Sequence, residues 1–562
     1  MLRSAVSRFF LLIFALLVLF LSWAPLVSRD SVIAGPKTGA ADPNAACAPC
    51  HREIYERYSQ TPMANASGVA AEGFIPADFK HASSGIHYRV SAEAGHVWLA
   101  YQRDSASADR MLNGRQELRY FIGSGKRGRT YLFEQEGYWF EAPVNWYGKK
   151  RLWDMAPNHL AAQEMPLTMQ VDPGCLHCHA SSVAHSLPDA RNRFASEPFA
   201  TSGITCAACH GDGKAHVASG GIAHILKIGS LEPVRRDSVC LSCHLEGQAA
   251  VVREGKTLEN FVPGDNLFDS ALFFVYKNEN GSGGRATSQW EALLRSECKQ
   301  KSGDRMTCTT CHDPHSSPTA DEKVAFYRQR CLQCHNQAGF AEQHHTENPD
   351  CTACHMARPP SNDISHEQVT DHWIKRRVSR ERLPVATKGE LEAVGGITAG
   401  YRDLGLAYAQ MAARGDQAAG PKAVELLRRA EGSAKGSTGD HEVHAQLGFL
   451  EQVSGHASEA GVEYRLALQA DPYDALAGED LALIVAGQHD YATAERLLKL
   501  VLEHDPSQSE AGVNLALVEC GLGKREAAIG TLDRVLEFAP DFTKARSMVR
   551  EVRSKERACG TK

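Results

Sequence analysis

The sequence predicts a mainly α-helical protein in three parts. These are a cysteine- and histidine-rich array of short helices, a small antiparallel β insertion near its start, and an α-helical solenoid at its end. Three observations predict this: seven copies of Cys-x-x-Cys-His between Cys47 and His355, alternation of apolar and polar residues between Ile86 and Phe140, and side chains recurring every 34 residues from Leu447 to Pro540. The chain has 562 residues, which at about 150 per domain requires several folding units. With 61 basic against 67 acidic side chains and a formal charge of −6, nothing marks a nucleic-acid binder. The departure from average lies in 17 cysteines and 25 histidines.

Residues 1–34 read as an export signal. Phe9 to Val27 is apolar but for Ser22 and Pro25, follows Arg3 and Arg8, and precedes the first acid, Asp30. Val32-Ile33-Ala34 offers a cleavage point, and without cleavage the stretch is long enough for a tilted membrane anchor. Both fates put the bulk of the chain outside the cytoplasmic membrane, in the periplasm or cell envelope, where unpaired thiols oxidise. The cysteines therefore need a chemical fate.

They pair as Cys47/Cys50, Cys175/Cys178, Cys206/Cys209, Cys240/Cys243, Cys308/Cys311, Cys331/Cys334 and Cys351/Cys354. Histidine follows every pair: His51, His179, His210, His244, His312, His335 and His355. Cys-x-x-Cys-His is the attachment signature of c-type haem. Cysteines three apart sit one helical turn from each other and reach two vinyl groups of one porphyrin as thioethers, while the next imidazole takes the iron. Zinc ribbons and plain disulfides do not need the histidine. Seven covalently bound haems are expected, with iron as the metal.

A low-spin haem takes a second strong-field ligand, in such arrays another histidine. Besides the seven proximal residues and five in the last third, thirteen histidines remain. His159, His185, His216, His224, His315, His366 and His372 are expected to contain most of the distal ligands, without assignment to particular irons. His185 and His216 each lie six residues after a proximal histidine, and His315 closes Cys-His-Asp-Pro-His. His87 and His96 alternate with apolar neighbours and are expected to face solvent.

The first haem segment runs over 35–77, a β-rich insertion over 78–165, a six-haem domain over 166–378 and a linker over 379–399. Six motifs in 181 residues leave too little chain for an ordinary core, so porphyrin faces supply much of the buried apolar surface. The doublets at Cys175/Cys206 and Cys331/Cys351 are expected to form close pairs. In the insertion, Ile86 to Ser91, Val97 to Tyr101, Leu118 to Ile122, Tyr131 to Phe133 and Tyr138 to Phe140 have period two and read as strands of one sheet over about 78–148. Gly123-Ser-Gly125-Lys-Arg-Gly128 reads as a hairpin turn rather than a nucleotide loop, since no helix follows it. Lys126, Arg127 and Arg129 are candidates to face haem propionates.

Over 400–562, Leu447/Leu481/Leu515, Ala460/Ala494/Ala528, Leu468/Leu502/Leu536 and Pro472/Pro506/Pro540 repeat with period 34. This is the tetratricopeptide period, with small residues at the helix crossing and proline closing each unit. Tyr401 to Ala430 reads as a degenerate first repeat and Phe542 to Arg557 as a capping helix. The concave face is expected to dock a protein or peptide, and deletion of 380–562 is expected to leave haem spectra intact. Cys298, Cys520 and Cys559 lack motif partners; Cys520 reads as a small buried hydrophobe and Cys298 as structural.

Residues 47 to 378 resemble exported multihaem c-type cytochromes related to the tetrahaem electron carrier of ammonia oxidisers. The resemblance rests on the seven Cys-x-x-Cys-His runs, on Cys308-Thr-Thr-Cys-His-Asp-Pro-His315, and on His366 with Asp371-His372. It implies largely bis-histidine haems in stacked arrays and an electron-transfer role, with a five-coordinate haem in some members. No Cys-x-x-Cys-Lys occurs, so the lysine-ligated haem of pentahaem nitrite reductases has no counterpart here.

The leading reading is a seven-haem carrier passing electrons between redox partner proteins, with the repeats docking a partner. The alternative is a haem-dependent oxidoreductase acting on a small nitrogen or sulfur compound at one open-faced haem, with Tyr120, Tyr131, Arg129 and His159 lining a pocket beside the first motif.

Overall fold

The computed structural model describes residues 42–105, 110–157, 159–188, 190–277, 288–337, 339–340, 344, 348–356, 358, 370–376, 388–433 and 439–560. The expected export segment 1–34 and His366 lie outside them. Among the described residues no helix is long and apolar enough to cross a membrane.

The expected strands form, but as two sheets rather than one. Strands β1 (Ser67–Val69), β2 (Ala77–Lys80), β3 (His87–Glu93), β4 (His96–Arg103), β5 (Leu112–Leu118), β6 (Tyr120–Ile122), β7 (Gly128–Gln135), β8 (Tyr138–Tyr147) and β9 (Leu152–Met155) follow in sequence. A four-stranded antiparallel sheet has the order β2-β3-β4-β5. A seven-stranded sheet runs β1-β6-β7-β8-β12-β11 with β9 on β8, taking β11 (Ser186–Leu187) and β12 (Ala190–Phe194) from beyond the second motif. β10 (Ala180–Val183) pairs with β13 (Phe199–Ser202). Alternation places Tyr88, Val90, Val97 and Leu99 of one sheet and Phe121, Tyr131, Phe133 and Phe140 of the other in a single core. The Gly123 to Gly128 segment is the hairpin turn between β6 and β7. Gly123 has φ 88°, and a Cβ there would lie 2.6 Å from the Gly128 carbonyl oxygen, so only glycine fits.

A third sheet was not foreseen: β14 (Ala249–Val252), β15 (Ala271–Tyr276) and β16 (Leu391–Ala393). β14 and β15 are apolar runs without alternation in sequence, which periodicity cannot tell from a buried helix segment, and β16 is only three residues long. Among the described residues nineteen α-helices stand beside four antiparallel sheets, and the part before the solenoid mixes both types, so the expected mainly α character holds only for the solenoid.

The solenoid comprises α1 (Tyr401–Ala413), α2 (Ala419–Ser433), α3 (His441–Val453), α4 (Ala457–Ala470), α5 (Ala475–Gly487), α6 (Tyr491–His504), α7 (Ser509–Gly521), α8 (Arg525–Phe538) and the capping helix α9 (Thr543–Ser554). Leu447, Leu481, Leu515 and the alanines Ala460, Ala494 and Ala528 are buried, as the 34-residue period requires. The solenoid is not a detached arm. At its start, Arg402 and Gln410 of α1 and Arg414 at its C-terminal cap donate to the carbonyls of Val252, Ala250 and Gln248, capping alternate acceptors along the free edge of β14 and the residue before it. One core then runs from Leu241 and Leu245 through Phe274 and Tyr276 to Leu406, Leu427 and Leu447. At its far end Phe538 enters the β core, and the buried Arg103 and Asp541 form an ion pair. Cys520 and Cys559 form a disulfide, correcting the reading of Cys520 as an unpaired hydrophobe. It ties the tail to α7, and period and burial alone could not reveal a partner 39 residues away.

Candidate haem-binding sites

Each motif lies on or at the end of a short helix. Cys47 precedes the helix Ala48–Tyr58; the second, third and fourth motifs end the helices Pro173–His179, Ala207–His210 and Pro233–His244. The fifth occupies Cys308–Cys311, the sixth follows from Lys323–Leu332, and the seventh fills Cys351–His355. Capping explains why such short helices start where they do. Asp172 accepts from Gly174 N, Asp350 accepts from Thr352 and Ala353 N, and Thr307 and Thr310 form a reciprocal cap. All fourteen motif cysteines are free thiols, in contrast to Cys520 and Cys559.

The thiols fall into a chain of neighbours: Cys47 with Cys206, Cys178 with Cys243, Cys240 with Cys308, and Cys331 with Cys351. Cys209 lies near Cys243, and Cys311 lies near Cys334. Cys50, Cys175 and Cys354 stand outside these pairs. Cys50 is an exposed free thiol on the helix Ala48–Tyr58, and Cys354 a half-buried one on Cys351–His355. The first and seventh motifs stand at the two ends of this chain of thiols, where Cys47 and Cys351 make the contact with the next motif. The Cys331/Cys351 doublet is as expected. In the Cys175/Cys206 doublet the pairing of β10 with β13 brings the two motifs together, with Thr205 N donating to Ser181 Oγ at 3.0 Å, while Cys178 neighbours the fourth motif and Cys206 the first.

The histidines supply the sharper fit. His51 and His216 have ring centroids 6.5 Å apart at 16° between planes, His210 and His315 6.0 Å at 10°, His312 and His372 6.2 Å at 32°, and His344 and His355 5.9 Å at 20°. An imidazole nitrogen binds a first-row metal at about 2 Å, so two rings on opposite sides of one iron have centroids about 6 Å apart. Direct ring stacking would be closer. Nδ1 of His210, His216, His355 and His372 meets the carbonyls of Leu226, Ala223, Lys375 and Thr370 at 2.7–3.0 Å. That contact fixes the ring and its tautomer with Nε2 as the ligating nitrogen. Burial, with His372 and His244 nearby, holds His312 down to about 4, and burial keeps His372 and His315 below the usual imidazole range. Neutral imidazole is the form that ligates metal. The donor set thus fits haem c.

Of the expected distal residues, His216, His315 and His372 reach motif histidines. His344 does too and was missed; its signal was Phe340, one helical turn earlier, whose ring stacks on His335 and on His344. His185 and His224 are exposed, and His159 is half-buried; none of the three stacks on a motif histidine among the described residues. His96 is exposed and His87 half-buried, both with side chains toward solvent as expected, and they bind Glu117 and Asp78. Cys298 lies near Cys311 and Cys334.

The pocket imagined beside the first motif does not form. Tyr131 is buried and stacks on Trp153, and Tyr120 donates to Glu197. Arg129 lies 3.7 Å over the Phe121 ring and donates to the carbonyls of Glu72 and Gly73, which also removes it as a propionate partner. Alternation on β7 turned these side chains into the core.

Three family models match the chain. One for cytochrome c554 and c-prime covers residues 146–211, with the second and third motifs. One for the doubled CXXCH motif covers 301–340, with the fifth and sixth. One for the tetratricopeptide repeat covers 485–551. A comparison with curated proteins finds no match. Among solved structures, MamA from AMB-1 is 23% identical over 28% of this chain and 80% of its own, with a TM-score of 0.24. YrrB, a TPR protein with an unusual peptide-binding site, is 18% identical over 27% of this chain and 73% of its own, with a TM-score of 0.24. The first TPR of Spaghetti (RPAP3), bound to an HSP90 peptide, is 23% identical over 21% of this chain and 95% of its own, with a TM-score of 0.20. With haem-attachment motifs matched in two separate segments and repeats in a third, the chain is a multihaem c-type cytochrome carrying tetratricopeptide repeats.

Proposed function

We propose that this chain is an exported, seven-haem electron carrier of the periplasm or cell envelope, with its solenoid docking a redox partner. Each Cys-x-x-Cys pair holds one haem, and His51/His216, His210/His315, His312/His372 and His355/His344 hold four irons from both sides. The observation that carries the reading is this set of four facing imidazole pairs at about 6 Å. Haem c supplies a one-electron iron couple when bound. The chain's residues do the rest: carbonyl contacts orient the rings, and ligands crossing between motifs tie each site to its neighbour. His216 from beyond the third motif serves the first, His315 from beyond the fifth serves the third, and His372 from beyond the seventh serves the fifth. The thiol neighbours support a continuous relay from the first motif through the third, fourth, fifth and sixth to the seventh, with the second as a branch on the fourth.

The side chains that would line a substrate pocket are spent on packing, which favours the carrier over the oxidoreductase. Intact mass of the exported chain, together with its spin state, tests the proposal. Seven haem additions and a predominantly low-spin spectrum are expected. An unmodified mass, or a mainly high-spin protein whose reduced form binds carbon monoxide, would refute it.

A further inference from the structure

The inner helices of the solenoid carry a regularity that core packing does not require. On α5, Leu476, Glu479, Asp480 and Leu483 follow i, i+3, i+4, i+7 and share one face. Their counterparts 34 residues later on α7 include Asn514 and Leu517. The helices lie side by side, since Asn514 Nδ2 donates to Glu479 Oε1 at 3.0 Å. Leu476, Leu483 and Leu517 are 38%, 41% and 41% exposed, whereas Leu481 and Leu515, turned to the core, are each 4% exposed.

Charge on this face is uneven. Arg402 pairs with Glu442 at the α3 end, and Lys544 pairs with Glu510 at the α7 end. Between them Glu479 and Asp480 receive only neutral donors: Asn514 for the first, Tyr464 and Gln452 for the second. Burial, with Asp480 and Glu510 beside it, holds the Glu479 carboxyl above its usual range, and burial does the same for Asp480. Lys544 lies near Glu479 but is bound to Glu510, so the carboxylates of Glu479, Asp480 and Glu510 between the exposed leucines outnumber it. The first repeat shows how the solenoid holds extended backbone, because α1 already grips β14 through alternate carbonyls. A partner is therefore left the later repeats.

We propose that the face shared by α5 and α7 docks an extended segment of a partner protein, placing a lysine or arginine at Glu479 and Asp480 and apolar side chains on Leu476, Leu483 and Leu517. This rests on the reading of the solenoid as a docking module and adds the chemistry of what it takes. Charge complementarity sets register, and the leucines supply apolar burial.

The test uses the full haem-loaded chain and fluorescein-labelled peptides of alternating leucine and lysine, leucine and glutamate, or serine and lysine. The leucine–lysine peptide is expected to bind, and the other two to bind at least about tenfold more weakly. Glu479→Gln combined with Asp480→Asn, and separately Leu483→Ser, are each expected to weaken binding about tenfold. Circular dichroism checks helicity; should the double variant unfold, Leu517→Ser gives the same test at an exposed site. Absence of saturable binding, equal binding of the leucine–glutamate peptide, or indifference to these substitutions would overturn the proposal. Haem content and reduction by dithionite report on the carrier reading separately, and these variants should leave both unchanged.

Discussion

His372 sits 6.2 Å from His312, its Nδ1 tied to the Thr370 carbonyl at 2.8 Å. Replacing it with alanine removes one facing imidazole and nothing from the attachment chemistry. His372→Ala should therefore keep every haem while adding a high-spin, carbon monoxide-binding signal worth one haem per chain; a wholly low-spin variant would rule out this ligand. Glu141 on β8 makes a different kind of prediction. Burial, with Asp172 nearby, pushes its carboxyl up to about 7. A raised acid contributes stability fully below its unfolded value and loses it as pH rises through the folded one. The melting temperature should fall between pH 5 and pH 8, and Glu141→Gln should flatten that part of the profile. At this scale the attachment residues were legible because spacing along one chain defines them. His216, His315 and His372 were legible as candidates from their places behind motifs, but not the partners they face, since His216 meets His51 and His315 meets His210 across more than a hundred residues. His344 is marked only by Phe340, whose ring stacks on it and on His335.

Among elements, the shortest depend most on their caps. Asp350 starts the one-turn helix of the seventh motif by accepting from Thr352 and Ala353 N, so Asp350→Ala should cost about 1 kcal/mol, measured by denaturant unfolding of the haem-loaded chain. Retention of full stability would show that thioether attachment alone holds the turn. The β14 edge depends on α1 in a comparable way. Removing Arg402 and Gln410 leaves the Val252 and Ala250 acceptors open, and light scattering should detect association through the exposed edge. Alternation revealed β3, β4 and β7, whose two faces differ. It was silent on β14 and β15, because apolar residues on both sides erase the period that distinguishes a strand.

Across the whole molecule, the solenoid is built into the cytochrome part at both ends. Arg103 Nη1 meets Asp541 Oδ2 at 3.0 Å, with both side chains buried and Met165 N also donating to Asp541. Arg103→Met strands a buried carboxylate, which should cost about 3–5 kcal/mol in thermal or denaturant unfolding, while the double variant with Asp541→Leu recovers much of it. Deleting residues 380–562 would bare the β14–β15 face and the socket of Phe538. The structure therefore predicts aggregation and disturbed haem spectra, contrary to the sequence expectation of intact spectra. What the chain determined by itself was local in kind: which cysteines stand in haem-attachment motifs, which histidine follows each, and that 34-residue units stack. Each needs only the spacing of residues within a turn or a repeat. Which imidazole faces which, which motifs become neighbours, and how the solenoid is anchored were decided by the tertiary fold. Those contacts join residues tens to hundreds apart, and their energy exists only once two cores have closed around them.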